Sequence, residues 1–237
     1  MTAGGSARSS SDVAIGVIGL DSVFTKIPGH IRNPATFNFP VMYEIVEGAT
    51  AERVVIRADP GLITPFCQAA RDLEARGAAA ITSGCGFLAL FQEELANAVS
   101  VPVFASSLVQ LPMVHQMIAR GRDVGVLTAR KASLTARHLR GIGAESIPVR
   151  IAGMDDQPEF REVMLEGRRV ELDVARLEAE VLSAVDAFAD ADLGALVIEC
   201  TDLVPFARTI QQRLDVAVFD IVTLTNMVHA TLTRHAY

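Results

Sequence analysis

Residues 77–103 read GAAAITSGCGFLALFQEELANAVSVPV, and residues 194–218 read GALVIECTDLVPFARTIQQRLDVAV. Each stretch opens on a glycine and a short apolar run of the kind a buried parallel strand needs. Each run stops at a cysteine, Cys85 or Cys200, and a helical pattern follows. A second apolar run comes next in both, around Phe104 and Phe219. From position 85 to 104 and from 200 to 219 the separation is the same 19 residues. Matched spacing of this kind marks an internal repeat. It puts a thiol at the same structural point of two half-molecules.

The rest of the chain fits around these joints. Residues 13–20 (VAIGVIGL) read as a first buried strand with Asp21 and Ser22 at its outlet, and residues 52–57 (ERVVIR) as a second. Asp59-Pro60 has the form of an N-cap and first helical position. The helix it opens runs through Leu62, Phe66, Ala69, Ala70 and Leu73 to Gly77. A helix over 88–98 and a strand over 101–105 follow Cys85. An amphipathic helix over 109–120 carries Pro112 early enough to be tolerated. The pattern then restarts, with strands at 124–128 and 147–151 and a helix through Val170, Val174, Leu177, Val181, Val185 and Phe188. Strands at 195–199 and 216–219 and a helix over 224–234 complete it.

Strands alternating with helices predict an α/β fold with right-handed crossovers. The simplest arrangement is two pseudosymmetric lobes, each a four-stranded parallel sheet flanked by helices, with the active site in the cleft between them. The expected bounds are 13–107 plus 222–237 for the first lobe, with the last helix crossing back, and 108–221 for the second. Residues 1–12 read as a flexible leader. The stretch 21–50 carries Lys26, His30 and Arg32 and then Phe37, Phe39 and Tyr43. So long a loop predicts a lid or a dimer contact.

Half of the 237 residues are hydrophobic, ample for a core, and no uninterrupted apolar run reaches the length of a membrane span. A net charge of −7 argues against a nucleic-acid or anionic-membrane surface. The three cysteines, with no secretory signal, point to reduced thiols in the cytoplasm. No spacing typical of zinc ligands is present, and no glycine-rich dinucleotide or phosphate fingerprint. Neither a metal nor a cofactor is expected.

Ligands of open parallel sheets sit at the carboxyl ends of strands. A helix start there offers free N–H groups and partial positive charge, which can lower a thiol's pKa. Two-fold pseudosymmetry would aim Cys85 and Cys200 into one cleft from opposite sides. Stereochemical inversion needs such a pair: one thiolate removes a proton beside a carboxylate, and the other thiol delivers one to the opposite face. The amides near Gly86, Phe87, Thr201 and Asp202 could hold the carboxylate. Ser83 could bond it or merely satisfy local backbone. Asp202 could orient Cys200, pair with an ammonium group or cap the following helix, the residue type favouring the cap. Thr128 is the best placed polar group after the fifth strand. Arg130 and Lys131 could attract an anion, and His30 could reach the cleft from its loop. Cys67 reads as a buried small hydrophobe. His115, His138, His229 and His235 sit on helical patterns without a partner.

The opening GVIGLDS, the GCG joint at Cys85, the VGVLTA strand and the ECTDLVP joint together resemble the aspartate/glutamate/hydantoin racemase superfamily over essentially the whole chain. The second joint is similar to that family's Cys-Thr-x-x-x-Pro signature in Cys200, Thr201 and Pro205. The resemblance implies a cofactor-independent, two-cysteine enzyme of two α/β lobes, often dimeric. It implies paired acid/base roles for Cys85 and Cys200, with Thr201 and Thr128 as cleft groups. Asp21 stands just beyond the position expected for the family's Asp-Ser. Gly86-Phe87 replaces the Asn-Thr usual after the first cysteine, and Asp202 replaces the histidine of glutamate racemases. The favoured expectation is a racemase or epimerase of a small carboxylate, an amino acid of the aspartate/glutamate kind, forming a homodimer or higher oligomer. The alternatives are a maleate-type cis–trans isomerase, a hydantoin racemase or a related lyase using the same cysteines. A two-lobed binding protein without turnover is the remaining possibility.

Overall fold

The computed structural model describes residues 13–233. Strands β1 (Ile15–Leu20), β2 (Val41–Val46), β3 (Ala80–Ser83) and β4 (Val103–Phe104) form a parallel sheet in the order β2-β1-β3-β4. Strands β5 (Asp123–Thr128), β6 (Val149–Gly153), β7 (Leu193–Ile198) and β8 (Ala217–Phe219) form a second in the order β6-β5-β7-β8. The same order in both halves is the duplication anticipated from the cysteine joints. The helices are α1 (Ile63–Ala75), α2 (Gln92–Ala98), α3 (Leu111–Met117), α4 (Ala136–Gly141), α5 (Pro158–Phe160), α6 (Val174–Val185), α7 (Ala207–Leu214) and α8 (Ile221–Leu232). Among the described residues no helix is long and apolar enough to cross a membrane.

Local chemistry sets the elements. All six residues of β1 are buried, as a central parallel strand requires. Ahead of α1, Asp59 caps the turn Pro60–Leu62 by accepting the Gly61 N–H at 2.8 Å. The helix then buries Phe66, Ala69, Ala70 and Leu73 on one face. Gly77 ends it at φ +97°, a conformation glycine adopts without strain.

The second strand is not where the apolar run 52–57 put it. β2 occupies Val41–Val46, and Glu52–Ile56 forms a single π-helical turn instead. β2 lies at the sheet edge, mostly half-buried, and its apolar run VMYEIV follows directly on a long stretch without regular pattern. The turn buries Val54 and Val55, and that burial accounts for the apolar run. The second lobe has its own π turn, Arg161–Leu165, which also follows a second strand and also precedes a helix capped by an aspartate, Asp173. Both cysteine joints continue as 3-10 turns, Gly86–Phe91 and Thr201–Phe206, before α2 and α7. Val170 and Val174 are exposed, so the periodicity seen upstream of α6 extends beyond its buried face.

The lobes are tied at the floor of the cleft. Ser107 Oγ donates to Ile198 O at 2.6 Å, and Thr201 Oγ1 donates to Gly84 O at 2.7 Å. From α8, His229 stacks on Phe39 at a centroid distance of 3.7 Å, and its Nε2 lies 3.2 Å from Val13 O. The expected leader 1–12, with Arg234 and His235, lies outside the described residues.

Candidate active site

Cys85 and Cys200 end their strand joints as the residues preceding the two 3-10 turns, 9% and 5% exposed. Both line one cavity of about 40 Å³, room for about three waters. The backbone N–H of Phe87 draws the Cys85 pKa down, and that of Asp202 does the same for Cys200. The second residue after each cysteine therefore supplies the same donor in both lobes. These amides favour thiolates, as the sequence led one to expect, but they do not prevail. Burial pushes both thiols well above their ordinary value. Glu199 adds to the effect at Cys85, and Asp202 and then Glu199 add to it at Cys200. At rest both sulfurs hold their protons.

Asp202 joins the second cysteine to the early loop. Its Oδ2 lies 3.8 Å from Cys200 Sγ, and its Oδ1 lies 2.8 Å from His30 Nε2. Arg32 N–H donates to His30 Nδ1 at 2.9 Å, so the ring proton sits on Nε2 and points at Asp202. Burial keeps His30 below its usual range, a neutral donor. Asp202 is thus not the helix cap that its residue type favoured.

Lys26 and Arg32 bring positive charge to the same cavity. Lys26 Nζ donates to Ser22 Oγ at 2.9 Å and Phe24 O at 3.0 Å. Burial lowers its pKa to about 7 against the pull of Asp202. Arg32 Nη1 donates to Leu20 O at 2.8 Å and Ser22 Oγ at 3.0 Å. The early loop is held down over the second joint: Gly29, at φ +93°, packs on Pro205 so closely that a Cβ would lie 3.1 Å from its Cα. Neither cation stood out in the sequence, because a charge in a long loop ordinarily faces water.

The remaining predicted residues divide. Gly86, Phe87, Thr201 and Asp202 line the cavity with the cysteines. The Thr201 hydroxyl is spent on Gly84 O. Ser83 Oγ lies 2.6 Å from Ala105 O and 2.8 Å from Cys85 O and accepts Cys85 N–H at 3.2 Å, so it serves the backbone. Thr128 stands one layer back, where its hydroxyl donates to Glu199 Oε2 at 2.6 Å. Asp21 faces an outer cavity of about 960 Å³ and accepts Gly48 N–H at 3.1 Å. Arg130 faces that outer cavity too and is bonded to Ser133. Cys67 packs in α1, its thiol 3.6 Å from Glu94 O. The outer cavity shares Ser22, Phe24, Ala51, Met164 and Leu165 with the inner one, so these residues form the partition between them.

Glu199 is the group that sequence reading passed over. A glutamate closing a strand gives no local sign of burial, yet it is 1% exposed and lines the cavity beside both thiols.

No family model matches the chain. Among curated proteins it is similar to dimethylsulfoniopropionate lyase 7 of Emiliania huxleyi, 32% identical over 232 residues, 92% of this chain and 67% of that protein. It is also similar to a dimethylsulfoniopropionate lyase of Durusdinium sp. clade D, 30% identical over 88% of this chain and 71% of that one. The chain belongs to the dimethylsulfoniopropionate lyase family. It spans 60% of the length of two other Emiliania huxleyi members, lyases 3 and 6. The fold of this family member is that of the aspartate/glutamate/hydantoin racemase superfamily. Allantoin racemase from Klebsiella pneumoniae superposes with a TM-score of 0.64 at 16% identity, covering 93% of this chain and 87% of that one. Unliganded arylmalonate decarboxylase gives 0.57 at 18% identity over 95% and 94%. Picrophilus torridus aspartate racemase gives 0.57 at 12% identity over 92% and 93%.

Proposed function

We propose that the chain is a lyase that cleaves a small β-sulfonium carboxylate, dimethylsulfoniopropionate being the instance its relatives are named for. The observation that carries this reading is the pair of buried thiols on one cavity, in a chain belonging to this family. It favours the lyase alternative over the amino-acid racemase expected from the cysteine pair alone. The cavity wall also bears both signs of charge. Lys26 and Arg32 suit the carboxylate of a zwitterion, while Asp202 and the ring of Phe87 suit its sulfonium end.

In the proposed reaction Cys200 is the base, because Asp202 Oδ2 is placed to accept its proton. The thiolate takes a proton from the carbon next to the carboxylate. The electron pair left behind forms the carbon–carbon double bond, and the bond from the β-carbon to sulfur breaks with its electrons going to sulfur. Dimethyl sulfide and acrylate leave, and the proton passes from Cys200 to water. Cys85 stays protonated and donates to the carboxylate as negative charge builds there. A cationic substrate offsets the burial that holds the thiols up.

The test is release of dimethyl sulfide, followed by gas chromatography, with acrylate followed by NMR. Wild type is expected to release both, and Cys85→Ser and Cys200→Ser to lose about 10²-fold or more of the rate. Racemisation of aspartate or glutamate without sulfide release would overturn this reading and restore the racemase.

A further inference from the structure

Among the described residues, two buried side-chain polar atoms lack a hydrogen-bond partner, His138 Nε2 and Glu199 Oε1. The second lies on the wall of the reactive cavity. Glu199 Oε2 is already engaged by two donors, Thr128 Oγ1–H at 2.6 Å and Ala129 N–H at 3.3 Å. A proton on this carboxyl group therefore belongs on Oε1. That oxygen packs against Gly86, where a Cβ would fall 2.2 Å from it. Burial raises the Glu199 pKa to about 7, against the lowering influence of Thr128 and Ala129.

Glu199 thus spans the two joints. It precedes Cys200 in the chain and touches, across the lobes, the residue that follows Cys85. A negative charge at this point opposes ionisation of both thiols. An ionised carboxylate with one oxygen buried and unpartnered is also the costlier form. We propose that Glu199 serves the reaction as a neutral carboxylic acid, its proton on Oε1, and so withholds a negative charge that would oppose ionisation of Cys200. It is a positioning residue, since it acts through the cysteines, and its part in turnover rests on the two-thiol lyase reading. The other groups around it are Cys85, Cys200 and Asp202, with Thr128 behind and Lys26, His30 and Arg32 from the early loop. Lys26 titrates near the same pH, and the loss of its charge acts on the thiols in the same direction. A wild-type profile alone does not separate the two, whereas a Glu199 variant does.

The experiment compares wild type with Glu199→Gln, which keeps the shape and is neutral throughout. Iodoacetamide labelling of Cys85 and Cys200, read separately by peptide mass spectrometry from about pH 6 to about pH 10, reports each thiolate. Above about pH 7, where wild-type Glu199 is charged, both cysteines are expected to label about tenfold faster in the variant at the same pH. Dimethyl sulfide release by the variant should keep rising above about pH 7, where wild type flattens. Identical labelling curves at both cysteines would overturn the proposal. Should Glu199→Gln lose its near-ultraviolet dichroism, Thr128→Val takes its place. Removing that donor raises the Glu199 pKa, so the wild-type flattening should move to higher pH, and an unmoved flattening would overturn the proposal. If wild type releases no dimethyl sulfide, the lyase reading fails, but the labelling comparison still decides whether Glu199 governs the thiols.

Discussion

His30 and Asp202, separated by 172 residues in the chain, meet at 2.8 Å with the ring proton on the nitrogen that faces the carboxylate. The contact crosses from one lobe to the other and fixes the orientation of the acid beside Cys200. Asp202→Asn can keep an acceptor for His30 but cannot take a proton from the thiol. Dimethyl sulfide release should fall about 10²-fold. Iodoacetamide labelling of Cys200 should become faster in the same variant, because a negative neighbour is gone. A wild-type rate in Asp202→Asn would remove this acid from the proton path.

Lys26 supplies a second prediction. Its pKa of about 7 means that much of the side chain is neutral a little above that pH, and an anion bound beside it pulls the proton back. Calorimetric titration of propionate at about pH 8, in buffers of different ionisation enthalpy, should show uptake of up to about one proton per site. Lys26→Met should abolish it. Uptake that persists in the variant would place the carboxylate elsewhere.

Gly86 tests the closeness of the two joints. A methyl group there meets Glu199 Oε1 at 2.2 Å and Glu199 O at 2.3 Å. Gly86→Ala should lose about 1–3 kcal/mol in urea denaturation. Adding Glu199→Ser should not restore it, because the backbone carbonyl remains in the way. Full recovery in the double variant would show that only the side chain was limiting.

His138 predicts a pH effect on stability. Its ring meets Phe87 edge-on, and burial holds its pKa at about 4. The unfolded chain takes up that proton near 6.5, so stability is lost as pH falls from about 6.5 towards about 4. The loss is at most about 3 kcal/mol, and less with solvent screening. His30 shifts in the same direction, so the comparison is between wild type and His138→Leu. The slope of urea midpoint against pH should be shallower in the variant, and equal slopes would be inconsistent with a neutral buried His138.

Much of the architecture was legible because duplication repeats its own spacing. Cys85 and Cys200 could be placed at strand ends from the apolar runs that stop at them and paired by the 19-residue interval, and the cavity holds them both. β2 was misplaced because Val41–Val46 comes at the end of a long stretch without regular pattern, while a π turn that buries Val54 and Val55 imitates a strand. Lys26, Arg32 and Glu199 escaped notice for a related reason. Charged residues are ordinarily solvated, and what puts these three against the thiols is tertiary packing with no local pattern. Asp21 shows the converse: a motif position suggested a substrate contact, and the structure gives it Gly48 to hold and a place in the outer cavity.

The hydroxyl bridges from Ser107 and Thr201 have a mechanical corollary. With its base bridged on both flanks, the cleft has a shared floor, and a guest larger than a few waters reaches the thiols past the residues that divide the two cavities. Phe24 stands in that divide with Met164 and Leu165. A smaller side chain at any of the three would widen the way in, so substrate size becomes a property of this divide rather than of the thiols.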